Sequence, residues 1–203
     1  MTPRTLLAEL TAVEELAAAG PVTLSSLIEC LEDRGHALAL LFLAVPFVLP
    51  FPTLGLSAPV GLALVFAGLA LTLGHPPALP AFVRRREVQA GALRAFTRGA
   101  ARMAPTASRL LRPRLGIMLA PGMKNLLGVS LACSAFILAL PLPLPLGNFL
   151  PAAAILLLAA GLLEGDGLFV LAGHVANAAV CVVLYLSWEL AWRGARAVLG
   201  LVA

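Results

Sequence analysis

Of the 203 residues, 61% are hydrophobic and 12% charged, and the formal net charge is +4; an average soluble domain carries about 25% charged residues. The mean hydropathy of +0.99 leaves too little polar surface for a water-soluble globule, and disorder requires the reverse composition. Eighteen glycines without a triplet period exclude a collagen-like chain, and three cysteines exclude a disulfide scaffold. The expectation is one all-α integral membrane domain over 1–203. It has only a handful of crossings, since each takes about 20 apolar residues.

Residues 1–36 are polar enough to lie outside hydrocarbon. Leu6, Leu7, Leu10, Val13 and Ala17 recur at helical spacing, and Gly20 and Pro21 end that helix. A second amphipathic helix follows Thr23, with Ser26 and Glu29 spaced as a capping box and Leu24, Leu27, Ile28 and Leu31 as its apolar stripe. The first long apolar run begins near Ala37 after six acidic residues, so a cleavable signal peptide is not expected.

Segments 37–74 and 125–167 each hold an uncharged stretch nearly twice one crossing in length. Prolines puncture both, at Pro46, Pro50 and Pro52 and at Pro141, Pro143 and Pro145, the latter followed by Gly147. A helix does not continue through such a cluster, because proline lacks the donor and clashes with the preceding turn. Each stretch is therefore two helical arms around an irregular centre. Leu-Ala-Val-Pro at 43–46 and Leu-Ala-Leu-Pro at 138–141, each with a proline four residues on, indicate an internal repeat. Such repeats with broken helices are a transporter architecture.

Segment 75–124 between them carries ten of the fourteen basic residues and one acid, Glu87. The positive-inside rule places it in the cytoplasm. Arg94, Arg98, Arg102 and Arg109 share one side of a helical wheel, opposite Val88, Leu93, Phe96, Ala100 and Met103. That pattern suits a helix lying in the interface with its arginines on anionic lipid headgroups, although ordinary topology-setting charge explains the arginine count equally well. Segment 168–192 is the final transmembrane helix, closed by Trp188, Trp192, Arg193 and Arg196 as an interfacial belt. Two topologies stay open. Full crossing of every arm puts the N-terminus inside; one net crossing per repeat, with a re-entrant arm in each, inverts the repeats and puts it outside. Both place twelve basic residues inside and two outside. The apolar Pro-rich centres favour burial at membrane depth, and with it the inverted, re-entrant scheme.

No nucleophile–base, phosphate-loop or dinucleotide motif is present, so enzyme activity is not expected. His36, His75 and His174 share no metal-ligand spacing, and no metal or cofactor is expected. Cys30, Cys133 and Cys181 form no CxxC pair and read as packing residues. Nucleic-acid binding is excluded, because the arginine cluster holds a single Phe for base stacking. The polar residues inside apolar stretches are the candidate binding groups: Thr53, Ser57, Asn148, and the pair His174 and Asn177 on one helix face. Thr, Ser and Asn beside broken helices also serve as caps, which is the plainer alternative. Glu164 and Asp166 bracket Gly165 in a turn, either as water-exposed acids or as a carboxylate pair holding a proton or cation.

The run Leu-Ala-Val-Pro-Phe-Val-Leu-Pro-Phe-Pro-Thr-Leu-Gly-Leu-Ser (43–57), the run Leu-Pro-Leu-Pro-Leu-Gly-Asn-Phe-Leu-Pro (142–151) and Gly-Leu-Leu-Glu-Gly-Asp-Gly (161–167) together carry a resemblance. With Leu-Glu-Asp-Arg-Gly-His (31–36) and the arginines at 84–86, the chain resembles the ExoD family of bacterial exopolysaccharide-synthesis membrane proteins over Thr23 to Leu190. It departs from the family pattern at Gly165, where the family's acidic turn carries an arginine, so the resemblance implies no ion pair within that turn. The resemblance implies a multi-pass protein of the bacterial inner membrane and supplies no reaction. The expected function is a transporter or flippase-like carrier of a lipid-linked or anionic substrate. The alternative is a non-transporting scaffold of a polysaccharide synthase complex, with Ala152 to Ala154 and Ala159 to Gly161 as a close-packing surface for a homodimer or a partner.

Overall fold

The computed structural model describes residues 35–48, 55–75, 79–85, 114–140 and 147–202, with short pieces of 13–29 and of 87–102. Pro50, Pro52, Thr53, Arg109, Pro141, Pro143 and Pro145 lie outside the described residues. The described elements are mostly helical: α1 Gly35–Ala44, α2 Ser57–Thr72, the single turn α3 Ala81–Arg84, α4 Pro121–Ala139, α5 Phe149–Glu164 and α6 Gly167–Val202. A two-residue bridge pairs β1 Val22–Thr23 with β2 Glu87–Val88, antiparallel. That bridge, absent from the all-helical expectation, ties the N-terminal segment to the basic one.

Local rules set the helix ends. α1 stops at Ala44 and the chain turns through a 3-10 segment, Val45–Phe47, with Pro46 at its start; the residue before a proline disfavours continued helix. α2 and α5 are built alike. Both have 16 residues, with a proline third (Pro59, Pro151) in the first turn, where no intrahelical donor is lost. Both end on a left-handed glycine: Gly74 (φ 78°), and Gly165 (φ 68°). At each end the amide of the residue after that glycine returns to the helix, His75 to the Ala70 carbonyl and Asp166 to the Gly161 carbonyl, both at 2.9 Å. This is the Schellman arrangement, which needs φ > 0 and therefore favours glycine.

Glycine also sets the packing. A Cβ on Gly61 would lie 2.7 Å from Ala139, and one on Gly68 2.6 Å from the Ala132 nitrogen; one on Gly128 would collide with the Thr72 nitrogen. α2 and α4 are thus backbone to backbone and antiparallel. Gly161 meets Val170, and Gly173 meets Leu158, so α5 and α6 form a second antiparallel pair. Side-chain rungs from Ser130 to His174 and from Ser134 to Asn177 set α4 in the same sense as α6. α1 packs chiefly on α5. Leu64, Leu127, Leu131, Leu138, Ile155, Leu158 and Val170 fill the centre.

These senses order the bundle's ends. The N-termini of α2 and α5 lie at the Ala139 end of α4. The start of α4, the ends of α2 and α5 and the start of α6 lie at the other, next to the basic segment. Stretch 125–167 therefore leaves and returns to one end, and α2 runs with α5. Inverted repeats would need those two equivalent arms to run oppositely, so the arms do not follow the inverted scheme favoured by the Pro-rich centres.

Two helical segments, Gly122–Ala139 and Gly167–Gly194, are long and apolar enough to cross a membrane. Phe66, Leu69, Phe136, Val175, Val182, Tyr185 and Leu186 turn outward. In the basic segment Leu93 and Thr97 are buried while Arg94, Arg98 and Arg102 are exposed. Leu93 joins the chain's own core cluster; Val88, expected on the same helix face, lies in β2 instead, and Phe96, Ala100 and Met103 lie outside the described residues.

Candidate functional site: a polar seam between two helices

α4 has a second face, on α6, and it is polar. Ser130 Oγ lies 2.7 Å from His174 Nδ1, and one helical turn on Ser134 Oγ donates to Asn177 Oδ1 at 2.6 Å. Both serines are buried, Ser134 completely. Beside the second rung Cys133 Sγ and Cys181 Sγ stand 3.7 Å apart, and the Asn177 side chain also hydrogen-bonds Cys133. Residues three and four apart share a helix side, so Ser130, Cys133 and Ser134 face His174, Asn177 and Cys181 as three rungs.

One atom of this ladder is unsatisfied. His174 Nε2 is buried and has no hydrogen-bond partner. Each neutral tautomer leaves it either a bare acceptor or an idle N–H. An unpaired buried polar group costs about 1–3 kcal/mol, a cost packing alone does not explain.

Ser57 and Asn148 occupy the first position of α2 and the position before α5, at the Ala139 end. Asn148 makes no side-chain capping bond to α5, so capping does not account for it. Neither residue is hydrogen-bonded to the seam. The structure unites His174 with Asn177 and sets Ser57 and Asn148 at one end of the bundle, without joining the two groups. Ser130, Ser134 and the cysteine pair escaped sequence reading. Their signal is the Ser-x-x-Cys-Ser spacing on one helix face, though nothing local says what it meets 43 to 48 residues on.

The acidic turn differs from both expectations. Asp166 is fully buried; its Oδ1 accepts the Leu168 amide at 2.9 Å, capping α6, and its Oδ2 lies 3.8 Å from Arg114 Nε. Gly167 donates its amide to the Arg114 carbonyl at 2.7 Å. The ion pair arises after all, with an arginine from the end of the basic segment. At the far end of α6 the Arg196 guanidinium sits 4.9 Å over the Trp192 ring, and Arg193 pairs with Glu189 at 2.9 Å. Burial lowers the pKa of His36, at the start of α1. Among the described residues no three His, Cys, Asp or Glu side chains group as a metal site.

A helical chain with two span-length apolar helices and a half-buried polar seam is the framework in which the family match falls. The family described as "Exopolysaccharide synthesis, ExoD" matches residues 6–186, and the chain belongs to it. It is similar to Protein ExoD of Rhizobium meliloti, 34% identical over 155 residues, covering 75% of this chain and 65% of that one; the match thus spans just under two thirds of the rhizobial protein's length. It is also similar to an uncharacterized protein of Synechocystis sp., 24% identical over 168 residues, covering 81% of this chain and 78% of the other. No solved structure matches.

Proposed function

We propose that the chain is a multi-pass protein of the bacterial inner membrane, acting in exopolysaccharide synthesis as a flippase-like carrier of a lipid-linked or anionic substrate. The observation that carries this reading is the half-buried polar α4–α6 seam, in which the buried His174 Nε2 has no hydrogen-bond partner. A polar atom kept unpaired in an apolar bundle is a place for a transient hydrogen bond from cargo, and intramembrane polar groups mark substrate paths. Outward-facing Phe and Leu on α2, α4 and α6 suit lipid contact. The basic segment adjoins one bundle end, which suits a cytoplasmic side set by Lys and Arg.

The repeats are best related by an axis along the bundle, as in transporters whose repeats run parallel. α2 packs on α4 and α1 on α5, so each second arm is seated on the other repeat's first arm. At 1.5 Å per residue α2 and α5 are about 24 Å long, short of the roughly 30 Å hydrocarbon core, so partial penetration suits them. Ser57 and Asn148 would then receive cargo at the Ala139 end and the arginines would gather anionic headgroups at the other.

Reconstitution in liposomes with a fluorescent polyprenyl-phosphate analogue tests this. Faster equilibration of the probe between leaflets is expected, and its loss in His174→Ala and Asn148→Ala. A protein that moves no probe, yet co-purifies with a polysaccharide synthase, supports the scaffold reading instead. That reading loses the surface expected for it, because Ala152, Ala154, Ala159 and Gly161 are buried inside the chain.

A further inference from the structure

The third rung of the seam is made of two thiols that the carrier reading does not use. Cys133 lies 12 residues into α4 and Cys181 14 residues into α6. At 1.5 Å per residue that is about 18 and 21 Å from the bundle's basic end. Their sulfurs are 3.7 Å apart. A disulfide needs about 2 Å between sulfurs, a short further approach for two side chains already in contact. Cys181 is exposed on the bundle's outer side and Cys133 is half-buried, with the Asn177 side chain bonded to the Cys133 sulfur.

We propose that Cys133 and Cys181 form a redox pair whose oxidant is a lipid-soluble quinone, and that closing it staples α4 to α6 and freezes the polar seam. The oxidant class rests on the membrane reading: at that depth in a hydrocarbon core about 30 Å thick, glutathione disulfide and other water-soluble disulfides do not reach the exposed Cys181 sulfur, and a quinone does. The step balances. Two thiols lose two protons and two electrons, one S–S bond forms, and the quinone leaves as its quinol. The staple crosses directly beside Ser134–Asn177, so the helices cannot part there while it is closed. Reduction to the dithiol frees them.

The test uses the full chain with Cys30→Ser, so that only these two thiols remain. In proteoliposomes a short-chain ubiquinone should remove both maleimide-reactive thiols of the denatured protein, yield one quinol per chain and raise the thermal midpoint. Dithiothreitol should restore the two thiols and the original midpoint, and Cys181→Ser should abolish all three effects. Copper phenanthroline in detergent checks the pair independently of any membrane or transport role. If it closes the bond and ubiquinone does not, the quinone assignment is overturned. If both thiols survive both oxidants, or only disulfide-linked dimers appear, the pair itself is overturned. Carrier activity enters none of these readouts, so their failure leaves the carrier reading standing, and the carrier's failure leaves the pair standing.

Discussion

α4 carries two interfaces of opposite kind. Toward α2 it offers Gly128, Ala132 and Ala139, and the backbones touch so closely that no added methyl group fits. Toward α6 it offers Ser130, Cys133 and Ser134, which meet polar partners through side chains. Dispersion between close-packed backbones falls off within an ångström of separation, so the α2 face has a single good position. Hydrogen bonds between side chains can be exchanged for bonds to a ligand or water at little net change. The contrast makes α2–α4 the fixed frame and α4–α6 the adaptable joint.

The largest effect should come from breaking the frame. Gly128→Leu drives a side chain into the Thr72 backbone, and overpacking of this kind costs about 3 kcal/mol or more; folded protein should vanish from size-exclusion profiles in detergent. Next is the lock at the end of the joint. Asp166→Ala removes the α6 cap and the Arg114 pair together, and should lower stability by about 2 kcal/mol in thermal or denaturant unfolding.

Within the joint, stability and activity should separate. His174→Leu removes the unpaired nitrogen but takes the partner from the buried Ser130 hydroxyl, so the two costs offset and the unfolding midpoint should stay within the equivalent of about 1 kcal/mol, while probe equilibration in liposomes falls at least about tenfold, the loss of one polar contact. Equal damage to both would return His174 to a packing role. The smallest effect lies outside the seam, at His36. Burial holds its imidazole below the ordinary 6.5, so the folded chain takes up a proton less readily than the unfolded one. Stability should be level above neutrality and fall as pH drops through 6.5, and His36→Gln should flatten that slope in thermal melts.

Much of this architecture is legible in the residues alone. Pro46 ends α1, Gly147 precedes the second arm of the later repeat and Gly165 lies in the turn that closes it, because these signals are local. His174 and Asn177 were readable as one face by their spacing of three. Their partners were not, since periodicity tells which side of a helix is polar and not which helix it meets. The buried Asp166 escaped for the same reason: a turn of Glu, Gly and Asp looks wet until Arg114 arrives from far upstream in the chain. The N-terminal cap shows a smaller slip. Thr23 Oγ1 accepts the Ser26 amide at 3.2 Å and Ser26 Oγ accepts the Thr23 amide at 3.0 Å, a reciprocal cap three residues ahead of the Ser26–Glu29 spacing. α6 also runs on to Val202, beyond the expected 192, since the residues around Arg193 and Arg196 sustain helix once it is begun.

Gly167 touches the Leu115 carbonyl so closely that a side chain there has no room, and Leu115 itself holds a left-handed φ of 48°. The consequence concerns which lengths of chain can vary. Between Arg114 and Pro121 an inserted residue would have to pull the 3-10 turn Gly116–Leu119 away from the head of α6, so that spacer should be invariant among working relatives.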